Sequence, residues 1–232
     1  MVPGFLVRLR PNGPWRIGHD SGARDRVDCV YHSDSVYSAV SAAMRRLGRL
    51  EDWLSATAAS PAPAVRFGSM FPFHEDTLFV EPPRSHWPPP PSMKVRWKGA
   101  RFVPLSVVET VLSEKPLHED HWAVDGESGC LVAAHGAGRP QGPFRVAVRS
   151  GVAVDRLGAG AVEVHQAACI EFRPGAGLWA AVAFADDAAR QNWSELLKAS
   201  FRLLADSGFG GERSRGWGGA HTPEFCEGTL PE

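Results

Sequence analysis

The residues best suited to chemistry in this chain crowd between Gly208 and Gly219, in the run Gly208-Phe-Gly-Gly-Glu-Arg-Ser-Arg-Gly-Trp-Gly-Gly219. Glycine has no side chain to obstruct a ligand and tolerates positive φ, so such a loop lets the backbone approach a partner closely. Arg213 and Arg215 put charge beside the exposed N–H groups, a combination that suits a phosphate-bearing ligand. A helix end needs one or two glycines and no paired arginines. A mononucleotide P-loop needs a Gly-Lys-Ser/Thr ending ahead of a helix, and a dinucleotide fingerprint needs a preceding strand; neither is present. A nucleic-acid backbone remains. Arginine neutralises its phosphates, and Trp217 or Phe209 offers a ring on which a base can stack.

Other elements must hold this loop. Phe5, Val7 and Leu9 alternate on one face of a strand over Phe5–Arg10. A long polar loop, 11–28, carries Arg16, His19, Arg24 and Arg26. A helix starts at Ser33-Asp34, both N-cap types, with Val36, Val40, Ala43, Met44 and Leu47 on its buried face. A second short helix over 50–59 follows. Strands are expected over Val65–Met70 and Thr77–Val80, around a turn at Pro72–Asp76. The proline-rich segment 81–92 reads as an extended connector, followed by a strand over Met93–Phe102. Ser106–Leu112 is helical at best, and 113–142 is an irregular insertion. Strands Phe144–Val148, Val162–Phe172 and Leu178–Phe184 precede a helix capped by Asp186-Asp187, with Trp193, Leu196, Leu197, Ser200, Phe201 and Leu204 on one side. The glycine loop comes next, and then a last strand, Ala220–Phe225.

This order reads as an α+β, ferredoxin-like (RRM-like) fold: an antiparallel sheet, helices on one face, a glycine-rich loop and irregular insertions. It makes a single domain over 1–232, or two ferredoxin-like modules at about 1–112 and 143–232. The sheet lacks an aromatic-rich RNA-binding strand signature, so base stacking on its face is not supported.

Composition narrows the function. The chain has 232 residues and a net charge of −1, whereas a free-standing nucleic-acid binder is usually basic overall. Its arginines are clustered, however: Arg8, Arg10, Arg16, Arg24 and Arg26 near the start, Arg45, Arg46 and Arg49 on the first helix, then the loop pair. Acidic residues gather at 109–127 and 186–187. A polarised protein, meeting RNA on one side and protein on another, fits this pattern. Cys29, Cys130, Cys169 and Cys226 are widely spaced, which indicates no zinc site and no disulfide framework. With no apolar run of membrane-spanning length and no signal-peptide pattern, the expectation is a cytoplasmic chain without metal or cofactor.

Three segments together resemble one family. The glycine loop resembles that of the CRISPR-associated RAMP proteins. The segment His32-Ser-Asp-Ser-Val-Tyr-Ser-Ala39 is similar to the His-Ser-Asp-Thr-Leu-x-Ser-Ala motif of the type III effector subunits that cap the 5′ end of the guide RNA (subunit four of the Csm complex). Gly68-Ser-Met-Phe-Pro-Phe73 is similar to their Ser-x-Phe-Pro-Phe/Tyr element. Val154-Asp-Arg156, within Arg149–Arg156, resembles an Asn-x-Ile-Asp-Arg element but lacks the Asn. Members commonly run longer beyond the glycine loop.

The resemblance implies a RAMP fold and a non-catalytic, cytoplasmic scaffold of antiviral defence. It would grip the repeat-derived 5′ tag of the guide RNA, dock on a large polymerase-like subunit and abut the first backbone RAMP subunit. The RNA contacts it implies are Gly208, Gly210, Gly211, Arg213, Ser214, Arg215, Gly216, Trp217 and Gly218, with Arg16, His19, Arg24 and Arg26 from the 11–28 loop and His32 and Ser33 from the helix start. Two alternatives stand beside it: a metal-independent RAMP endoribonuclease processing CRISPR precursor RNA, with His32 or His19 as general acid or base, and a protein-interaction module that binds no RNA. Trp87, Trp97, Trp122, Trp179 and Trp193 read as core or interface residues, and Arg45-Arg46 as a solvated helix face.

Overall fold

The computed structural model describes residues 1–18, 23–89, 97–134, 141–154 and 162–231. The apolar alternation near the N-terminus produces strand β1 (Val2–Leu9), with Phe5, Val7 and Leu9 all buried. Helix α1 (Ser33–Arg46) buries Val36, Val40, Ala43 and Met44, the one-sided pattern of an amphipathic helix. A short α2 (Leu50–Ala56) follows. Helix α4 (Asp187–Ser207), which follows α3 (Leu105–Leu112) in chain order, buries Trp193, Leu197, Ser200, Phe201 and Leu204. The Asp186 carboxylate caps it, accepting from the Ala189 N–H at 2.7 Å. That bond satisfies one of the orphan donors of the first turn.

These helices lie against an antiparallel sheet. Its other strands are β2 (Val65–Phe67), β3 (Phe71–His74), β4 (Thr77–Val80), β5 (Val103–Pro104), β10 (Ala176–Phe184) and β11 (Glu224–Leu230). The order is β11-β1-β10-β3-β4-β5, with β2 also on β10. β2 and β3 pair with opposite ends of β10, so they form one strand path broken at 68–70. Chain order is then β1, α1, β2/β3, β10, α4, β11, the β-α-β-β-α-β plan of ferredoxin-like folds. Strands from 1–112 and from 143–232 share this one sheet.

Everything between β4 and β10 is inserted into that plan. The insertion has its own apolar cluster of Trp97, Ala100, Val103, Val107, Val111 and Leu131. The stretch 113–142, expected to be irregular, contains a hairpin of β6 (Trp122–Val124) and β7 (Leu131–Ala133). Its turn is built on the buried Asp125, whose carboxylate accepts from the Ser128 N–H and hydroxyl at 3.0 and 2.7 Å. A longer hairpin, β8 (Phe144–Val154) with β9 (Val162–Phe172), keeps an unbroken register from Phe144↔Phe172 to Val154↔Val162. Its base packs on the core through Phe144 and Phe172, which meet Phe102 and Trp15.

Several boundaries differ from those expected. Pro72 lies within β3, paired opposite Leu178; the turn is at Glu75, whose φ is 51°. Of the strand expected over 93–102, residues 93–96 lie outside the described residues, while 97–102 form a turn closed by the Ala100 N–H on Trp97 O at 2.9 Å and an isolated bridge from Phe102 to Cys130, and Val103 begins β5. Ala220 makes only an isolated bridge to Pro11, and the last strand starts at Glu224. The Ser33-Asp34 cap moves back one residue to His32, whose side chain makes no capping bond.

Candidate nucleic-acid interface

The three segments singled out in the sequence meet in space. Tyr31 and Met70 exchange backbone hydrogen bonds at 3.2 and 2.8 Å, and the Ser33 N–H donates to Ser69 Oγ at 3.2 Å. Phe209 of the glycine loop packs edge-on against Tyr31 with ring centroids 6.0 Å apart. Between the first turns of α1 and the end of α4 a cleft of about 270 Å³ opens, lined by Tyr31, Ser35, Ser38, Gly208, Gly210 and Arg213 among others. Burial pushes the Tyr31 phenol above its ordinary pKa, although the Gly210 N–H favours the ionised form. The cleft thus offers hydroxyls and a guanidinium over a wall of small residues, Ala39 and Ala42.

The glycine loop is a fixed object. Phe209 N–H donates to Gly218 O at 2.9 Å, Gly218 N–H to Pro14 O at 2.9 Å, and Gly211 N–H to Arg16 O at 2.8 Å. Trp15 stacks on Phe209 at 5.1 Å and its indole donates to Gly219 O at 2.9 Å. Gly218 has φ +81°, and a Cβ there would stand 2.0 Å from Phe209 O. Only glycine permits that approach. Between Glu212 and Gly216, both in the left-handed region, Arg213–Arg215 form a single 3₁₀ turn. This turn exposes Arg213, Ser214 and Arg215. Arg215 pairs with Glu212 at 3.2 Å.

The structure treats the expected contact residues unequally. Gly208, Gly210, Gly211, Arg213, Ser214, Arg215, Gly216, Trp217 and Gly218 are brought together with His32 and Ser33 around one end of the sheet. Trp217 is half-buried, whereas Phe209 is only 1% exposed and is a core ring, unable to stack on a base. Arg16 is committed elsewhere: its guanidinium donates to the carbonyls of Ala23, Arg24, Arg26 and Ala168 at 3.1–3.3 Å. It ties the polar loop to β9. Arg24 and Arg26 are exposed; His19 lies outside the described residues, as do Asp155 and Arg156. His32 is exposed and its Nε2 lies 3.0 Å from Asp28 Oδ2. Burial raises the Asp28 pKa, but hydrogen bonds from Val30, His32 and Cys29 outweigh it and hold the carboxyl below its ordinary value.

Sequence reasoning gave no site role to Tyr31, Ser35, Ser38, Arg145 or Glu171, and noticed Arg149 only as the start of a motif. Arg145 and Arg149 share parity on β8, and Arg145 sits directly opposite Glu171 on β9. That signal becomes readable once the register is known. Among the described residues no group of three or more His, Cys, Asp and Glu could hold a metal ion, and no helix is long and apolar enough to cross a membrane. The four cysteines are free thiols.

No protein-family model and no curated protein sequence matches the chain. Solved structures do. A chain of the Csm1–Csm4 cassette in complex with cA4 superposes with a TM-score of 0.60 at 17% identity, covering 99% of this chain and 71% of that one. A chain of the Csm3–Csm4 subcomplex in the type III-A CRISPR-Cas interference complex gives 0.62 at 15%, covering 98% and 70%. A chain of the type III-B Cmr-beta complex bound to cognate target RNA gives 0.52 at 7%, covering 97% and 61%. What is shared at this identity is the fold. The mixed α+β architecture, with its antiparallel sheet and helices on one face, is the one found in these type III effector chains.

Proposed function

We propose that the chain is a non-catalytic, RNA-binding subunit of a type III CRISPR effector complex. In this reading it caps the repeat-derived 5′ tag of the guide RNA and joins a large polymerase-like subunit to the backbone of RAMP subunits. The observation that carries it is the meeting of the three motif-bearing segments: Ser69 and Met70 bond to Ser33 and Tyr31, while the start of α1 and the glycine loop line one cleft to which Arg213 contributes, with Arg215 on the same turn. The fold shared with chains of the Csm1–Csm4 and Csm3–Csm4 assemblies supports the same reading. Exposed guanidiniums on a rigid turn suit phosphate, because their planar fork of donors matches its oxygens.

The test is co-purification. The chain is expressed with its genomic neighbours, recovered by a tag, and any bound RNA is sequenced. Short RNAs sharing one repeat-derived 5′ end, with a large partner, are expected. Arg213→Ala with Arg215→Ala should then weaken RNA retention and flatten its salt dependence, by about 0.7 in slope for each phosphate that is no longer neutralised. Recovery of folded protein with neither RNA nor partner supports the interaction module instead. Cleavage of a repeat RNA that disappears in His32→Ala supports the nuclease, for which the His32–Asp28 pair would supply the acid–base group.

A further inference from the structure

The long hairpin carries a second arginine pair that the proposed function does not use. On the odd-numbered face of β8, Arg145 and Arg149 converge on one carboxylate. Arg145 donates through Nε and Nη2 to Glu171 Oε2 at 3.0 and 2.9 Å. Arg149 donates through the same two atoms to Oε1 at 3.0 and 2.7 Å. The carboxylate is largely covered, with a side-chain exposure of 21%, while the arginines are 58% and 50% exposed. The three side chains form one wall of a cleft of about 560 Å³, completed by residues 11–14, Phe172 and His221. Two positive charges face one negative charge, so the trio keeps a net positive charge.

This cleft is continuous with the glycine loop. Its floor, residues 11–14, is the segment to which that loop is tied, through Asn12 N–H to Gly219 O at 3.1 Å and Gly218 N–H to Pro14 O. Two residues beyond Arg149 on the same hairpin face, or about 7 Å along the strand, lies Gly151. The Arg215 guanidinium reaches to 3.4 Å from where a Cβ would stand there. Arg145 and Arg149 therefore prolong the row of guanidiniums begun by Arg213 and Arg215.

We propose that Arg145 and Arg149 form a phosphate seat for the RNA strand held by the glycine loop, with Glu171 as its built-in competitor. Arg–carboxylate and Arg–phosphate pairs use the same planar fork. Glu171 keeps the two guanidiniums converged and partly neutralised until a phosphate takes over one or both forks. The proposal rests on the RNA-binding reading above. It differs from a plain structural clip in the sign of one effect, since removing the carboxylate's charge frees the seat but would weaken a clip.

The experiment is equilibrium binding of a fluorescein-labelled single-stranded RNA of mixed sequence to the full chain, between about 50 and 200 mM salt. Arg145→Gln with Arg149→Gln should weaken binding about tenfold, the worth of one charge-assisted hydrogen bond, and lower the salt slope by about 0.7. Glu171→Gln should tighten binding several-fold. The arginine Nε–H resonances of Arg145 and Arg149 in the unmodified chain should move on RNA addition, a readout that needs no variant to fold. Unmoved resonances at saturating RNA, or a Glu171→Gln variant that is folded and binds no better, overturn the seat. If Arg213→Ala with Arg215→Ala weakens binding and the hairpin variants do not, this inference falls and the proposed function stands. An unmodified chain that binds no RNA overturns the seat, while the proposed function is decided by the co-purification.

Discussion

Two arginine pairs flank the same edge of this molecule and are prepared in opposite ways. Arg213 and Arg215 ride on a 3₁₀ turn whose backbone is fixed by hydrogen bonds to residues 14 and 16 and by the Trp15–Phe209 stack. Among the described residues Arg213 has no ion pair, and Arg215 has one, with Glu212. Arg145 and Arg149 stand on a regular strand and are held by a shared carboxylate. In the loop, backbone geometry sets the position and the Arg213 charge is left available. On the hairpin, the strand sets the spacing and a side chain tempers the charge. Damage to the loop should therefore be steric and large, and damage to the hairpin electrostatic and small.

The largest effect expected is that of Phe209→Ala. The ring is fully buried between Trp15 and Tyr31, and truncating such a core aromatic costs about 3–5 kcal/mol. Urea denaturation should show that loss, together with loss of RNA binding if the loop positions the arginines. Gly218→Ala comes next. Its Cβ would meet the Phe209 carbonyl at 2.0 Å in a left-handed conformation, so about 3 kcal/mol is expected from backbone displacement added to φ strain. Gly216→Ala is the internal control. Its φ is also positive, +79°, but nothing lies within 4 Å of the added carbon, leaving about 1 kcal/mol of left-handed strain. Equal costs at 216 and 218 would mean that the loop is not fixed by Phe209, and the contrast between loop and hairpin would collapse.

The loop was legible in the sequence because its chemistry is local: glycines, arginines and the helix before it lie within a few residues. The same holds for the Asp186 cap, and for the buried faces of α1 and α4, whose apolar residues recur at helical spacing. Three other features depend on partners far away in sequence. Pro72 reads as a turn, yet it fits a strand that pairs with Leu178 across about a hundred residues. Arg16 reads as an RNA-contacting cation, but the chain folds carbonyls around its guanidinium, including that of Ala168 from far along the sequence. Arg145 and Arg149 become a site only when β9 brings Glu171 alongside them. The hairpin's length was also underestimated on β8. The exposed Val152 and Val154 lie past Ser150 and Gly151, where the expected strand had already ended, and they pair there with Val164 and Val162.

The smallest effect is also the sharpest probe of the hairpin. Hydrogen bonds from Arg149 and Arg145, in that order of importance, hold the Glu171 carboxyl below its ordinary value of 4.5. A carboxyl whose pKa is lower in the folded state contributes stability that is present above its unfolded pKa. That contribution fades as pH falls through the lower, folded value. Acidification from pH 5 downward should therefore release the two guanidiniums before the core unfolds, at a cost of about 1 kcal/mol or less for so accessible a pair. The expected record is a shift of the Arg145 and Arg149 Nε–H resonances over that range, and its abolition in Glu171→Gln. The loop's backbone amides, fixed by Pro14 and Arg16 carbonyls, should hold their positions throughout. If loop and hairpin signals move together, the two arginine pairs belong to one cooperative unit, and the distinction between a steric and an electrostatic preparation fails.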